Sequence, residues 1–265
     1  MKNTIKKIIF ILIILCFLCF LVTCKSTEKQ YNVLYQVSTI NALMYGLYDG
    51  VISFGQLKAK GNFGIGTSHA LNGEMILLDG IAYRIEADGK VYNIDDSEKT
   101  PFAIVTEFKS QKTIDINSLF NLDKMQNFLN TLFISKNYFY AIRIDGIFKQ
   151  VKVRSVPAQS KPYPALSKVV KKQSVFTSGN VSGTLVGFWF PAYISGVNVP
   201  GYHFHFISND RKFGGHVLEL ETGQVKINIG VIRHFKMLLP ENNEFLNIDL
   251  TPNMDREIRS VERGR

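Results

Sequence analysis

The chain has 265 residues, 46% apolar and 20% charged, a balance that buries a substantial core and excludes both disorder and the small disulfide-stapled class. Its net charge of +9 falls to +6 once Lys2, Lys6 and Lys7 of an N-terminal leader are set aside. Apart from Lys168, Lys171 and Lys172 the remaining bases are spread along the chain, which argues against a nucleic-acid partner.

The leader comes first. Ile8 to Val22 runs fifteen residues without a charge behind a basic start, the pattern of a secretory h-region. It is short of the ~20 apolar residues that a membrane-spanning helix needs. Leu21-Val22-Thr23-Cys24 resembles a bacterial lipobox, with Thr23 where Gly, Ala or Ser is usual. Residues 1–24 are therefore expected to be a signal peptide or lipoprotein leader, and the body to be secreted or tethered to a membrane through lipidated Cys24. All three cysteines (Cys16, Cys19, Cys24) lie here. The body has no disulfide, thiolate ligand or Cys nucleophile, so its chemistry must come from His, Glu, Asp, Arg or hydroxyls.

Aromatic and β-branched residues from Tyr31 to Val37 read as a strand, and Ser38 or Thr39 can cap a short helix from Ile40 to Tyr45. Glycines 61, 64 and 66 punctuate the next stretch. Apolar runs at residues 74–78, 82–86 and 91–94, separated by Asp79-Gly80 and Asp88-Gly89, predict a β-meander with tight turns. Leu122, Met125, Phe128, Leu129 and Leu132 recur at helical spacing and predict an amphipathic helix over residues 121–133. Asp145-Gly146 between two apolar runs predicts another hairpin. Pro157, Pro162 and Pro164 then mark a basic linker or crossover that ends at Lys172. The expected organisation is an N-terminal mixed-sheet subdomain over residues 31–172 and a C-terminal metal-binding β subdomain over 173–265. The fold class is a β-rich α/β (α+β) fold.

The chemistry gathers in Gly201-Tyr202-His203-Phe204-His205-Phe206-Ile207. Side chains alternate along a strand, so His203 and His205 share one face while Phe204 and Phe206 take the other. Ser208 to Arg211 form a turn, and after Gly214-Gly215 the return strand can bring His216 beside the first two imidazoles. Three imidazoles without a fourth protein ligand nearby in sequence are the pattern of a catalytic metal. A cupin metal barrel also uses His-x-His, but it expects a Glu where this chain has Asn209 and Asp210. His69 and His234 lack such a setting.

Together with that hairpin, Tyr35-Gln36-Val37-Ser38-Thr39, Gly46-Leu47-Tyr48-Asp49-Gly50, Gly64-Ile65-Gly66-Thr67 and Leu71-Asn72-Gly73-Glu74 resemble the α-acetolactate decarboxylase family over nearly all of the body. The resemblance implies two subdomains, with a mixed sheet and a smaller barrel-like sheet, and a homodimer that acts on 2-acetolactate with Zn2+. It puts the metal on His203, His205 and His216, catalytic roles on Glu74, Arg154 and Glu262, and substrate binding on Thr67 and Arg154. Ser68 and Asn72 depart from the family, which commonly has an aromatic and an Asp at these positions.

These residue types suit that reaction. Loss of CO₂ from a β-keto acid sends an electron pair into the neighbouring ketone, and a Lewis-acid zinc would stabilise the resulting enediolate. Arg154 would hold the carboxylate by two parallel hydrogen bonds, and the glutamates would move protons. Two other classes stay open on sequence alone: a different three-His metal enzyme such as a dioxygenase, and a non-catalytic surface lipoprotein that binds a small acid.

Overall fold

The computed structural model describes residues 31–263. The leader with Cys24 lies outside the described residues. Among the described residues no helix is long and apolar enough to cross a membrane.

The chain enters as β1 (Val33–Val37) and turns into α1 (Ile40–Met44), whose N-cap Thr39 accepts a hydrogen bond from Ala42 N–H. A short pair, β2 (Ile52–Ser53) with β7 (Lys99–Thr100), flanks the capping box of α2 (Phe54–Lys58). The meander β3 (Phe63–Thr67), β4 (Glu74–Leu78), β5 (Ile81–Ile85) and β6 (Val91–Asn93) follows as expected, and β8 (Ala103–Thr106) returns beside β3. With β14 (His234–Leu238) these strands make a seven-stranded sheet in the order β14-β1-β8-β3-β4-β5-β6. Only its β1–β14 pair is parallel, so the sheet is mixed. Gly64 and Gly66 sit inside β3 rather than between strands. A Cβ on Gly64 would lie 2.3 Å from the Ile104 carbonyl of β8, so the small residue serves close strand approach.

The second sheet holds β9 (Lys112–Ile116), β10 (Phe139–Ser155), β11 (Ser174–Phe190), β12 (Gly201–Ser208) and β13 (Gly214–Ile232). Because β10 also pairs with β13, strands β10 to β13 close into a small barrel with β9 on its outside. The amphipathic helix appears as α3 (Leu122–Leu132) and buries Met125 and Leu129 in the barrel's core cluster with Phe148, Phe204 and Phe206. Three short helices complete the chain: α4 (Leu166–Val169), α5 (Asn243–Asn247) and the C-terminal α6 (Asp255–Arg263).

The hairpin expected at Asp145-Gly146 is absent. Residues 139–155 form one continuous strand, and Gly146 marks the first of several register shifts against β13. Gly146 has φ 150°, and a Cβ there would meet the Gln224 carbonyl at 2.3 Å, so glycine is required by a bulge and not by a turn. Asp145, instead of capping a turn, accepts hydrogen bonds from Arg143 Nε and Thr184 Oγ1. The division expected at residue 172 does not follow the sheets either. β9 and β10 precede it yet belong to the barrel, and β14 follows it yet closes the first sheet. The described residues, 31–263, form one compact unit. Its largest apolar cluster draws Ile65, Ile76 and Ile85 from the first sheet and Val186, Phe188 and Ile207 from the second.

Candidate active site

The period-two alternation of three strands decides what meets between the sheets. On β12, Phe204 and Phe206 fill the barrel, so His203 and His205 face the first sheet alongside Ile207. On β4, Met75 and Leu77 pack on the far side, so Glu74 faces the barrel with Ile76 and Leu78. On β10, Val151 and Val153 point into the barrel, and Arg154 faces out with Val156. In the register of the barrel His216 is opposite both His205 and Arg154. Thr67 ends β3 opposite Glu74, and its hydroxyl donates to the Gly73 carbonyl at 2.7 Å. From the other end of the chain, α6 buries Ile258 and Val261 and thereby sets Glu262 over the imidazoles.

All seven expected site residues therefore converge on one cavity: Thr67, Glu74, Arg154, His203, His205, His216 and Glu262. Its remaining wall is apolar, made by Ile40, Leu43, Leu71, Phe102, Val156 and Leu166. The cavity measures ≈ 40 Å³, more than the roughly 10–15 Å³ that one water takes on the same measure.

The donor atoms of the three imidazoles lie within 4.8 Å of one another. His205 Nδ1 donates to the Met75 carbonyl at 2.9 Å and His216 Nε2 to the Glu262 carbonyl at 2.8 Å. A carbonyl only accepts, so these bonds fix the tautomers and leave His205 Nε2 and His216 Nδ1 as bare donors aimed inward. His205 Nε2 and His203 Nδ1 are buried with no hydrogen-bond partner. His216 Nδ1 stands 3.2 Å from His203 Nε2; a tetrahedral site with Zn–N bonds of about 2.0 Å has an edge of about 3.3 Å. A nitrogen donor set of this kind, with two of its three imidazoles held by backbone carbonyls, fits a divalent metal ion.

Burial, joined by the Arg154 charge, pulls His203 down to about 3, and His205 and His216 also fall well below their ordinary value, mainly through burial. The imidazoles are thus neutral, as metal donors must be. The carboxyls go the other way. Burial pushes both Glu74 and Glu262 up to about 7, partly opposed by Arg154. Glu74 Oε2 lies 3.5 Å from His205 Nε2, and Glu262 Oε2 lies 3.5 Å from His203 Nε2 and 3.8 Å from His216 Nε2. Two carboxyls that exchange protons near neutrality, one guanidinium and a neutral triple-imidazole cluster can bind an acid, stabilise a developing anion and deliver a proton.

Sequence reasoning did not reach the Met75 carbonyl, the apolar wall or Gln173, whose Oε1 accepts from Arg154 Nη1 at 3.3 Å. The first is backbone and leaves no residue-type signal. The wall comes from α1, α4 and loops far apart in sequence.

The profile of the alpha-acetolactate decarboxylase family matches residues 34–252. An alpha-acetolactate decarboxylase of Methanosarcina mazei is 48% identical over 88% of this chain and 81% of its own length. One from Brevibacillus brevis is 42% identical over 88% of this chain and 82% of its own. The crystal structure of alpha-acetolactate decarboxylase from Bacillus subtilis strain 168 superposes with a TM-score of 0.85 at 37% identity, covering 88% of this chain and 99% of that one. With its mixed sheet, its barrel and its buried cluster of three imidazoles, two glutamates and one arginine, the chain belongs to the alpha-acetolactate decarboxylase family.

Proposed function

We propose that the protein converts 2-acetolactate to acetoin and CO₂ with a zinc ion held by His203, His205 and His216. The observation that carries this reading is the meeting of Arg154, two proton-exchanging glutamates and three neutral imidazoles in one buried cavity with an apolar wall. Arg154 binds the substrate carboxylate, and the apolar wall receives the methyl groups. The bond from the carboxylate carbon to the hydroxyl-bearing carbon breaks, CO₂ leaves, and the electron pair passes into the neighbouring ketone. Zinc, when bound, supplies Lewis-acid stabilisation of that negative charge. Glu74 or Glu262, protonated in part at neutral pH, then donates a proton to the carbon that carried the carboxylate. A homodimer, and export with Cys24 as lipid anchor, are proposed on the family resemblance and the leader sequence respectively.

The test measures acetoin and CO₂ released by the purified protein from racemic 2-acetolactate, before and after chelation and after zinc is restored. Turnover lost on chelation and regained with zinc is the expected result. A folded, zinc-loaded protein that releases neither product refutes the reading.

A further inference from the structure

Arg154 is buried, yet among the described residues no carboxylate lies within 4.0 Å of its guanidinium. Its Nε is buried with no hydrogen-bond partner. Buried arginines are ordinarily paired with an acid, so this one holds its charge in reserve. Glu74 and Glu262 feel that charge through space without closing on it. The side-chain hydrogen bond that orients the fork is the one from Nη1 to Gln173 Oε1, at 3.3 Å.

Gln173 is well placed for this. It follows the 3-10 turn Val170–Lys172, its N–H donates to the Val170 carbonyl, and the next residue opens β11, where Ser174 pairs with Ser155 and Val175 with Arg154. The amide is neutral. It fixes the direction of one guanidinium nitrogen without cancelling the charge, which a carboxylate at the same place would do.

We infer that Gln173 is a positioning residue: it aims the Arg154 guanidinium and keeps it unpaired, so that the fork is free for the carboxylate of a 2-hydroxy-3-oxo acid. The inference rests on the decarboxylase reading for its substrate, but it makes a separate claim about charge at position 173. Gln173→Glu adds a carboxylate within reach of Arg154 and competes with the substrate. Gln173→Met removes the orienting bond but adds no charge.

The experiment compares wild type, Gln173→Met and Gln173→Glu in two assays on the purified protein. One is steady-state turnover of 2-acetolactate. The other is calorimetric binding of 2-hydroxy-2-methylpropanoate, which has the carboxylate and hydroxyl but no ketone and cannot react. Gln173→Glu is expected to raise KM and weaken binding of the probe at least tenfold, Gln173→Met to weaken both about threefold, with melting temperatures close to wild type. Unchanged probe binding in Gln173→Glu overturns the inference, as does an equal loss in both variants, which marks a merely structural role. If wild type releases no CO₂ from 2-acetolactate, the decarboxylase reading falls while the binding comparison still decides the role of Gln173. If wild type does not bind the probe, Arg154 is no carboxylate site and the inference falls.

Discussion

Ile258→Ala should disable the site from outside it. Glu262 reaches the imidazoles only because α6 docks, and α6 docks through two apolar side chains, Ile258 and Val261, exposed to 1% and 2%. A nine-residue helix is not stable alone in water. Its other ties include the hydrogen bond from His216 Nε2 to the Glu262 carbonyl, the contact of Ser195 with Asp255, and Asn41 holding the Leu250 carbonyl just upstream. Truncating a buried Ile to Ala costs about 2–5 kcal/mol. At the lower end, about 2–3 kcal/mol, the undocked population rises roughly 30- to 150-fold. Because the barrel keeps its own core, the loss is local. Hydrogen exchange at the amides of residues 259–263 is therefore expected to speed up by that factor, with little change in the strands and in the global melting temperature. Turnover should fall, because the Glu262 carboxyl and the carbonyl that orients His216 both leave with α6. Exchange in α6 at the wild-type rate, or a rise spread evenly over the whole chain, would refute this account. Leu246→Ala, at a side chain 67% exposed, is the control and should change neither quantity.

Arg154→Lys keeps the positive charge but loses the fork; kcat/KM is expected to drop about 100-fold, and wild-type turnover would sink the carboxylate role. In metal-free protein the pH dependence of stability has two opposing parts. Glu74 and Glu262 titrate near 7 in the folded state against an ordinary value of 4.5, so the folded protein binds more protons between those pH values and their contribution declines as pH rises. The histidines titrate below 6.5, so the unfolded chain binds more protons there and their contribution grows with pH. Glu74→Gln removes one declining part, and chemical denaturation of the chelated variant should show stability rising more steeply from pH 4.5 to 7 than in wild type. A slope equal to that of wild type would contradict the raised carboxyl. Gly146→Ala forces a Cβ to 2.3 Å from the Gln224 carbonyl and is expected to cost about 2–4 kcal/mol in urea unfolding. Gly80→Ala has φ 82° but nothing within 4 Å of its Cβ, and should cost only about 1 kcal/mol.

What was legible in the chain was local. The helical spacing of Leu122, Met125, Leu129 and Leu132 appears as α3, and Asp79-Gly80 does connect β4 to β5. Asp145-Gly146 carries the same turn signal and sits inside a 17-residue strand. The difference is not in the dipeptide. It lies in the partners: β10 has β11 on one side and β13 on the other, and these pairings hold the strand straight through a bulge. Such pairings join residues tens of positions apart, which no short window reveals. The same cause defeats a boundary at residue 172, because β10 must cross to the second sheet before the Pro-rich segment begins.

The site divides along the same line. His203 and His205 are fixed to one face by spacing alone, and the Gly214-Gly215 return brings His216 into register with His205. Nothing in spacing brings Glu74, Arg154 and Glu262 to that face; only the resemblance to a family did so. Physically they arrive by three independent routes: the inward face of β4, the outward face of β10 past its bulge, and a helix docked by Ile258 and Val261. The register shifts between β10 and β13 have a direct consequence here. A strand without register shifts would pair Arg154 with a different residue of β13, and a shift of one position would turn the partner's side chain to the other face of the sheet. The two shifts on either side of Phe148 cancel, so it is the third, between Lys152 and Val153, that sets the guanidinium opposite His216.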